Sequence, residues 1–99
     1  MKVSISSVKF KADKVLEDFI SDKISKLTGN YSGIISSEVT LRLDHAEDHN
    51  NKIAEIKLLI PGNDLFAKKQ SKSFEEATDQ AVDALRKQLI KHKEKQKGI

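Results

Sequence analysis

Side chains able to do covalent chemistry are few in this chain. No cysteine is present, which excludes thiol nucleophiles and disulfides. The histidines are His45, His49 and His92. His45 and His49 are four apart in Asp44-His45-Ala46-Glu47-Asp48-His49, a spacing that presents two metal ligands together only on a helix. The segment lies between two strand patterns and reads instead as a solvated hairpin loop. The carboxylates are scattered over polar faces, with no nucleophile–base pair among them. No enzyme is expected, and no catalytic residue, metal, cofactor or small-molecule substrate is assigned. The chemistry left is charge, concentrated in Arg86-Lys87-Gln88-Leu89-Ile90-Lys91-His92-Lys93-Glu94-Lys95-Gln96-Lys97.

Six of the 18 Lys/Arg and one of the 15 Asp/Glu fall in residues 86–97, a local charge of +5. Elsewhere twelve basic residues meet fourteen acidic ones, for −2. The net charge of +3 is therefore a local property, which points to a site more than to general solubility. At 100° per residue Lys87, Lys91 and Lys95 line one flank of a helix, and Arg86, Lys93 and Lys97 line the other. Lys and Arg at a helix C-terminus suit the macrodipole, and a solvated charge run needs no partner. Like charges at i,i+4 nevertheless repel by a few tenths of a kcal/mol per pair. Folding alone gives no reason to crowd them, so a polyanion partner stands as an equal explanation beside a solvated helix end.

The elements that position these residues follow from periodicity. Val3 and Ile5 alternate with Lys2, Ser4 and Ser6 in a short edge-like strand. Asp13 is an N-cap, after which Leu16, Phe19, Ile20, Ile24 and Leu27 form a helical stripe ended by Gly29-Asn30. Glu38 to Leu43 alternates as a half-buried strand. Ala54, Ile56, Leu58 and Ile60 mark another. Pro61-Gly62-Asn63-Asp64 is a turn, and Leu65 to Lys69 a short fourth strand. Ser73 and Glu76 form a capping box opening a long helix whose apolar face is Phe74, Ala77, Ala81, Val82, Leu85 and Leu89. Below that face the stripe meets His92 and Gln96, so the helix outruns the sheet.

The fold class is α+β: one β-α-β-β-β-α domain, a four-stranded mixed sheet with both helices on one face. The first β-α-β unit makes parallel strands and the rest are antiparallel. Ninety-nine residues with 37% hydrophobic and 33% charged side chains are expected to form a single domain, 1–99, with about 91–99 a basic helix end prone to fraying. The N-terminal stretch carries Lys2, Lys9, Lys11 and Lys14 without an apolar core, unlike a secretory signal. No stretch reaches the ~20 apolar residues of a membrane span. A cytoplasmic protein without membrane contact is expected.

Lys23 and Lys26 flank the first helix's stripe near its C-terminal end. Side-by-side helices would bring them toward the basic tip, forming a footprint for RNA or DNA phosphates. No zinc-finger, KH-type or RNP signature occurs. Phe19 and Phe74 read as core, so phosphate and shape recognition of folded RNA is favoured over base stacking. Two other readings remain open. One is an amphipathic arm for a protein or a membrane, opposed by an apolar stripe already committed to the sheet. The other is a generic double-stranded RNA-binding module.

The Lys87-Gln88-Leu89-x-Lys91-His92-Lys93-x-Lys95 run, following Asp79-Gln80-Ala81-Val82-Asp83-Ala84-Leu85, resembles the second helix of the ribosome hibernation factors. That family includes the short hibernation-promoting factor, ribosome-associated inhibitor A and sigma-54 modulation proteins. The first-helix spacing Leu16, Phe19-Ile20, Lys23, Lys26-Leu27 is similar too, and the resemblance spans essentially the whole chain. It implies the same β-α-β-β-β-α fold and a non-enzymatic binder of the small ribosomal subunit. Such proteins lie in the channel of messenger and transfer RNA and silence ribosomes when growth slows. Lys23, Lys26, Lys87, Lys91, His92, Lys93, Lys95 and Lys97 match basic family positions and are implied to contact ribosomal RNA. Arg86 joins them on charge geometry alone. The family's Tyr at the entry to the second helix is replaced by Glu75, so no aromatic contact is carried over there. The second domain of long-form members is not matched, and ribosome dimerisation is expected to need a second factor.

Overall fold

Asp13 starts the first helix by accepting the Leu16 N–H at 2.8 Å, which satisfies one of the unpaired donors of the first turn. The computed structural model describes residues 2–29, 31, 33–44 and 49–97, with the backbone alone over 93–97. Along it run β1 (Lys2–Ser7), α1 (Lys14–Thr28), β2 (Ser36–Leu43), β3 (Lys52–Ile60), β4 (Asn63–Ser71) and α2 (Phe74–Lys97). The sheet order is β1-β2-β3-β4. β1 pairs parallel with β2, and the other two pairings are antiparallel. The expected architecture is the observed one.

Alternation sorts each strand between two environments. On the helix side Ile5, Val39, Ile56 and Ala67 fall in register across the sheet. They join Ile20, Ile24 and Leu27 of α1 and Phe74, Ala77, Ala81, Val82, Leu85 and Leu89 of α2 in one core. Each fully buried Ile or Leu contributes about 1.5–3 kcal/mol. Leu43, the last residue of β2, is half exposed at the rim. The opposite face is wet and carries Ser4, Glu38, Lys57 and Phe66 in register.

β4 is longer than the five residues read from the sequence. It begins at Asn63 and runs to Ser71, because pairing with β3 continues past the apolar positions. The turn shrinks to Pro61-Gly62 between the partners Ile60 and Asn63, with Gly62 at φ 77°. Ser73 Oγ accepts the Glu76 N–H at 3.1 Å, as the capping box requires. The Glu76 carboxylate accepts the Ser71 hydroxyl at 2.8 Å, tying the helix start to the end of β4.

β1 and β4 point the same way, so α1 and α2 start at the same end of the sheet. Phe10, just before α1, stacks on Phe74 with centroids 5.0 Å apart. The helices then run side by side, α1 for 15 residues and α2 for 24. At 1.5 Å per residue α2 is about 13 Å longer than α1.

Candidate nucleic-acid interface

Lys23 and Asp79 join the two helices, with Lys23 Nζ 3.0 Å from Asp79 Oδ1. The same ammonium lies 5.4 Å from the centre of the Phe19 ring, near enough for a cation–π attraction. Lys23 therefore reaches α2, but at Asp79. That is two turns, roughly 12 Å, before Lys87. Lys26 is exposed and pairs within its own helix, 3.1 Å from Asp22. The α1 lysines lie beside an acidic stretch of α2, and the structure gives neither of them a contact with the basic run.

Within α2 the charge changes character along the axis. Asp83 meets Arg86 at 3.3 Å and Lys87 at 3.4 Å, so one carboxylate serves both cations. Lys91, one turn on, is exposed and has no ion pair among the described residues. His92 is half-buried where the core stripe ends. Lys93, Lys95 and Lys97 lie within the helical span, and their side chains fall outside the described residues. Exposed ion pairs are worth ~0–1 kcal/mol. The paired cations are thus steadied by aspartates that a phosphate, with its stronger charge-assisted bonds, can displace.

Three basic residues absent from the sequence-based site are prominent here. Lys68, Lys69 and Lys72 are exposed on or just after β4, without an ion pair among the described residues. Lys68 is on the wet face, whereas Lys69 is on the helix side of the edge strand, in register with Ala54. Their signal was visible as three lysines in Lys68-Lys69-Gln70-Ser71-Lys72. Reading that segment for its apolar alternation hid it. Among the described residues no three His, Cys, Asp or Glu side chains converge on a possible metal position. His45 and most of its loop lie outside the described residues.

Three findings relate the chain to known proteins. The family described as sigma 54 modulation protein / S30EA ribosomal protein matches residues 3–97. A ribosome hibernation promoting factor from Azotobacter vinelandii is 33% identical over 97% of this chain and 86% of the relative. Another from Pseudomonas putida is 27% identical over 100% of this chain and 93% of the relative. Among solved structures, a ribosomal subunit interface protein from Coxiella burnetii superposes with a TM-score of 0.83. Its identity is 17%, and the match covers 94% of this chain and 98% of that one. The N-terminal domain of Thermus thermophilus Protein Y gives 0.76 at 22% identity, over 89% and 94%. These two likenesses establish the fold, whereas the family match and the Azotobacter relative establish kinship. The chain belongs to the sigma 54 modulation protein / S30EA ribosomal protein family.

Proposed function

We propose that this chain is a ribosome hibernation factor, acting as one unit over residues 1–99. It would bind ribosomal RNA of the small subunit, in the channel used by messenger and transfer RNA, through a basic patch on its two helices. The family is one of non-enzymatic ribosome-binding proteins, and the relatives named above are hibernation promoting factors. The observation that carries the reading is the overshoot of α2. Its first half is buried against the sheet and carries paired charges, and beyond Asp83 it extends past the end of α1 with Lys91 in no ion pair among the described residues. Such a projecting cationic rod suits a phosphate-lined channel, where counterion release supplies much of the affinity. Lys23, Lys26, Arg86, Lys87, Lys91, His92, Lys93, Lys95 and Lys97 are its assigned contacts. Work on the ribosome would place the protein in the cytoplasm, and no helix among the described residues is long and apolar enough to cross a membrane.

The test is cosedimentation with purified small subunits. Replacing Lys87, Lys91 and Lys95 together by Glu abolishes association, while unfolding free energy stays within ~1 kcal/mol of the parent because Lys87 and Lys91 are exposed and exposed ion pairs contribute little. Retained binding would move the site elsewhere. The parent also binds the subunit much more tightly than a plain RNA duplex; equal affinity would instead indicate a generic double-stranded RNA module.

A further inference from the structure

Phe66 has no role in the core. Phe74 is buried and stacks on Phe10, and Phe19 packs against the core beneath Lys23. Phe66 alone of the phenylalanines is exposed, at 51%, on the wet face of the edge strand β4. An aromatic there adds little to folding and is a hazard for edge-to-edge association. The backbone beneath it is fixed, because Gln88 Nε2 of α2 donates to the Phe66 carbonyl at 2.9 Å. That bond also closes one of the edge acceptors through which a strand would otherwise recruit another.

The charges around the ring are arranged unevenly. Lys57, directly across on β3, is engaged with Asp64 at 3.5 Å. Glu55, in register with Lys68, is engaged with Arg42 at 3.0 Å. Two carboxylates of this face are thereby engaged. Lys68, two residues from Phe66 on the same face, has no ion pair among the described residues. Two further carboxylates belong to this face: Asp44, which accepts from the Gln70 amide at 2.9 Å, and Glu38, two strands away in the row of Phe66 and Lys57, about 10 Å off. An exposed aromatic plane with a cation two residues along the same face of a pinned strand edge matches single-stranded nucleic acid, whose bases offer π-faces and whose phosphates offer the opposite charge.

We propose that Phe66 is a stacking platform for an unpaired RNA base, with Lys68 taking a flanking phosphate. This extends the proposed function to a second contact, made by the sheet edge in addition to the helix tip, and rests on RNA being the partner. Base–aromatic stacking of this kind changes affinity by roughly 5- to 150-fold on truncation to Ala.

The chain has no tryptophan, so Phe66→Trp installs a sole, selectively excitable indole at the platform. A short single-stranded oligoadenylate should quench it, and inorganic polyphosphate of matched charge should not. Phe66→Ala should weaken small-subunit binding by the factor given above, and Phe66→Tyr should restore it, with unchanged circular dichroism confirming the fold. Absence of quenching together with parental binding by Phe66→Ala overturns the platform. Weakened subunit binding without quenching by RNA overturns it as well, and marks Phe66 as a contact for ribosomal protein. If the Lys87/Lys91/Lys95 variant loses the subunit while Phe66→Ala keeps it, only the stacking contact fails. If both variants bind normally, the helix-tip reading fails with it.

Discussion

Asp83 lies within 3.4 Å of both Arg86 and Lys87, where a phosphate oxygen would have to approach. Its carboxylate steadies two cations in the free protein and competes with RNA for them. Asp83→Asn keeps the shape and removes the competing charge. Since exposed pairs are worth ~0–1 kcal/mol, small-subunit affinity should rise about two- to fivefold, with stability lowered by less than ~1 kcal/mol. A weaker complex would instead make Asp83 a positioning residue. Thr78 presents a different imbalance. It is fully buried, and Oγ1 has no hydrogen-bond partner among the described residues. An unsatisfied buried hydroxyl costs about 1–3 kcal/mol. Thr78→Val, which exchanges it for a methyl of similar size, should therefore raise unfolding free energy by ~1 kcal/mol in a urea titration. A loss of stability would reveal a partner for the hydroxyl in solution.

Among the elements, the β3–β4 turn is the one whose conformation depends most on a single residue. The Pro61 ring holds φ near about −65°, and Gly62 follows at φ 77°, the combination of a type II turn. A Cβ at Gly62 would meet nothing within 4 Å. Gly62→Ala should therefore cost only the left-handed backbone penalty, about 1–2 kcal/mol, seen as a lower urea midpoint with unchanged slope. A drop well beyond that range would show that the register of β4 had slipped. The turn also shows what local sequence conveys. Pro-Gly, the Asp13 cap and the Ser73 cap are chemical signals confined to a few residues, and each was legible. The apolar stripes of α1 and α2 were equally plain, because burial imposes the 3.6-residue period directly. The length of β4 was not legible. Asn63, Asp64 and Gln70 belong to the strand through hydrogen bonds to β3, a nonlocal cause that leaves no mark on local propensity.

At the scale of the whole molecule, charge is separated along a long axis. The extents are 48 × 24 × 19 Å, a shape to which the overshoot of α2 contributes. Acidic residues crowd the starts of both helices, at Glu17, Asp18 and Asp22 and at Glu75, Glu76, Asp79 and Asp83, while the basic run follows. The basic tip was readable from composition. That Lys23 would meet Asp79 was not, because it depends on the height at which two helices dock. This polarity sharpens the salt dependence expected of the complex. Cations already held by aspartates release fewer counterions on meeting phosphate, so the response should come mainly from positions such as Lys91, in no ion pair among the described residues. If about five phosphates are neutralised, log K for the small subunit should fall against log salt with a slope of about −3.5 to −4.5. Asp83→Asn, by freeing Arg86 and Lys87, should steepen that slope by roughly one to two. A parental slope near zero would remove the electrostatic basis of binding, and an unchanged slope in Asp83→Asn would show that the bound RNA does not reach as far up α2 as Arg86.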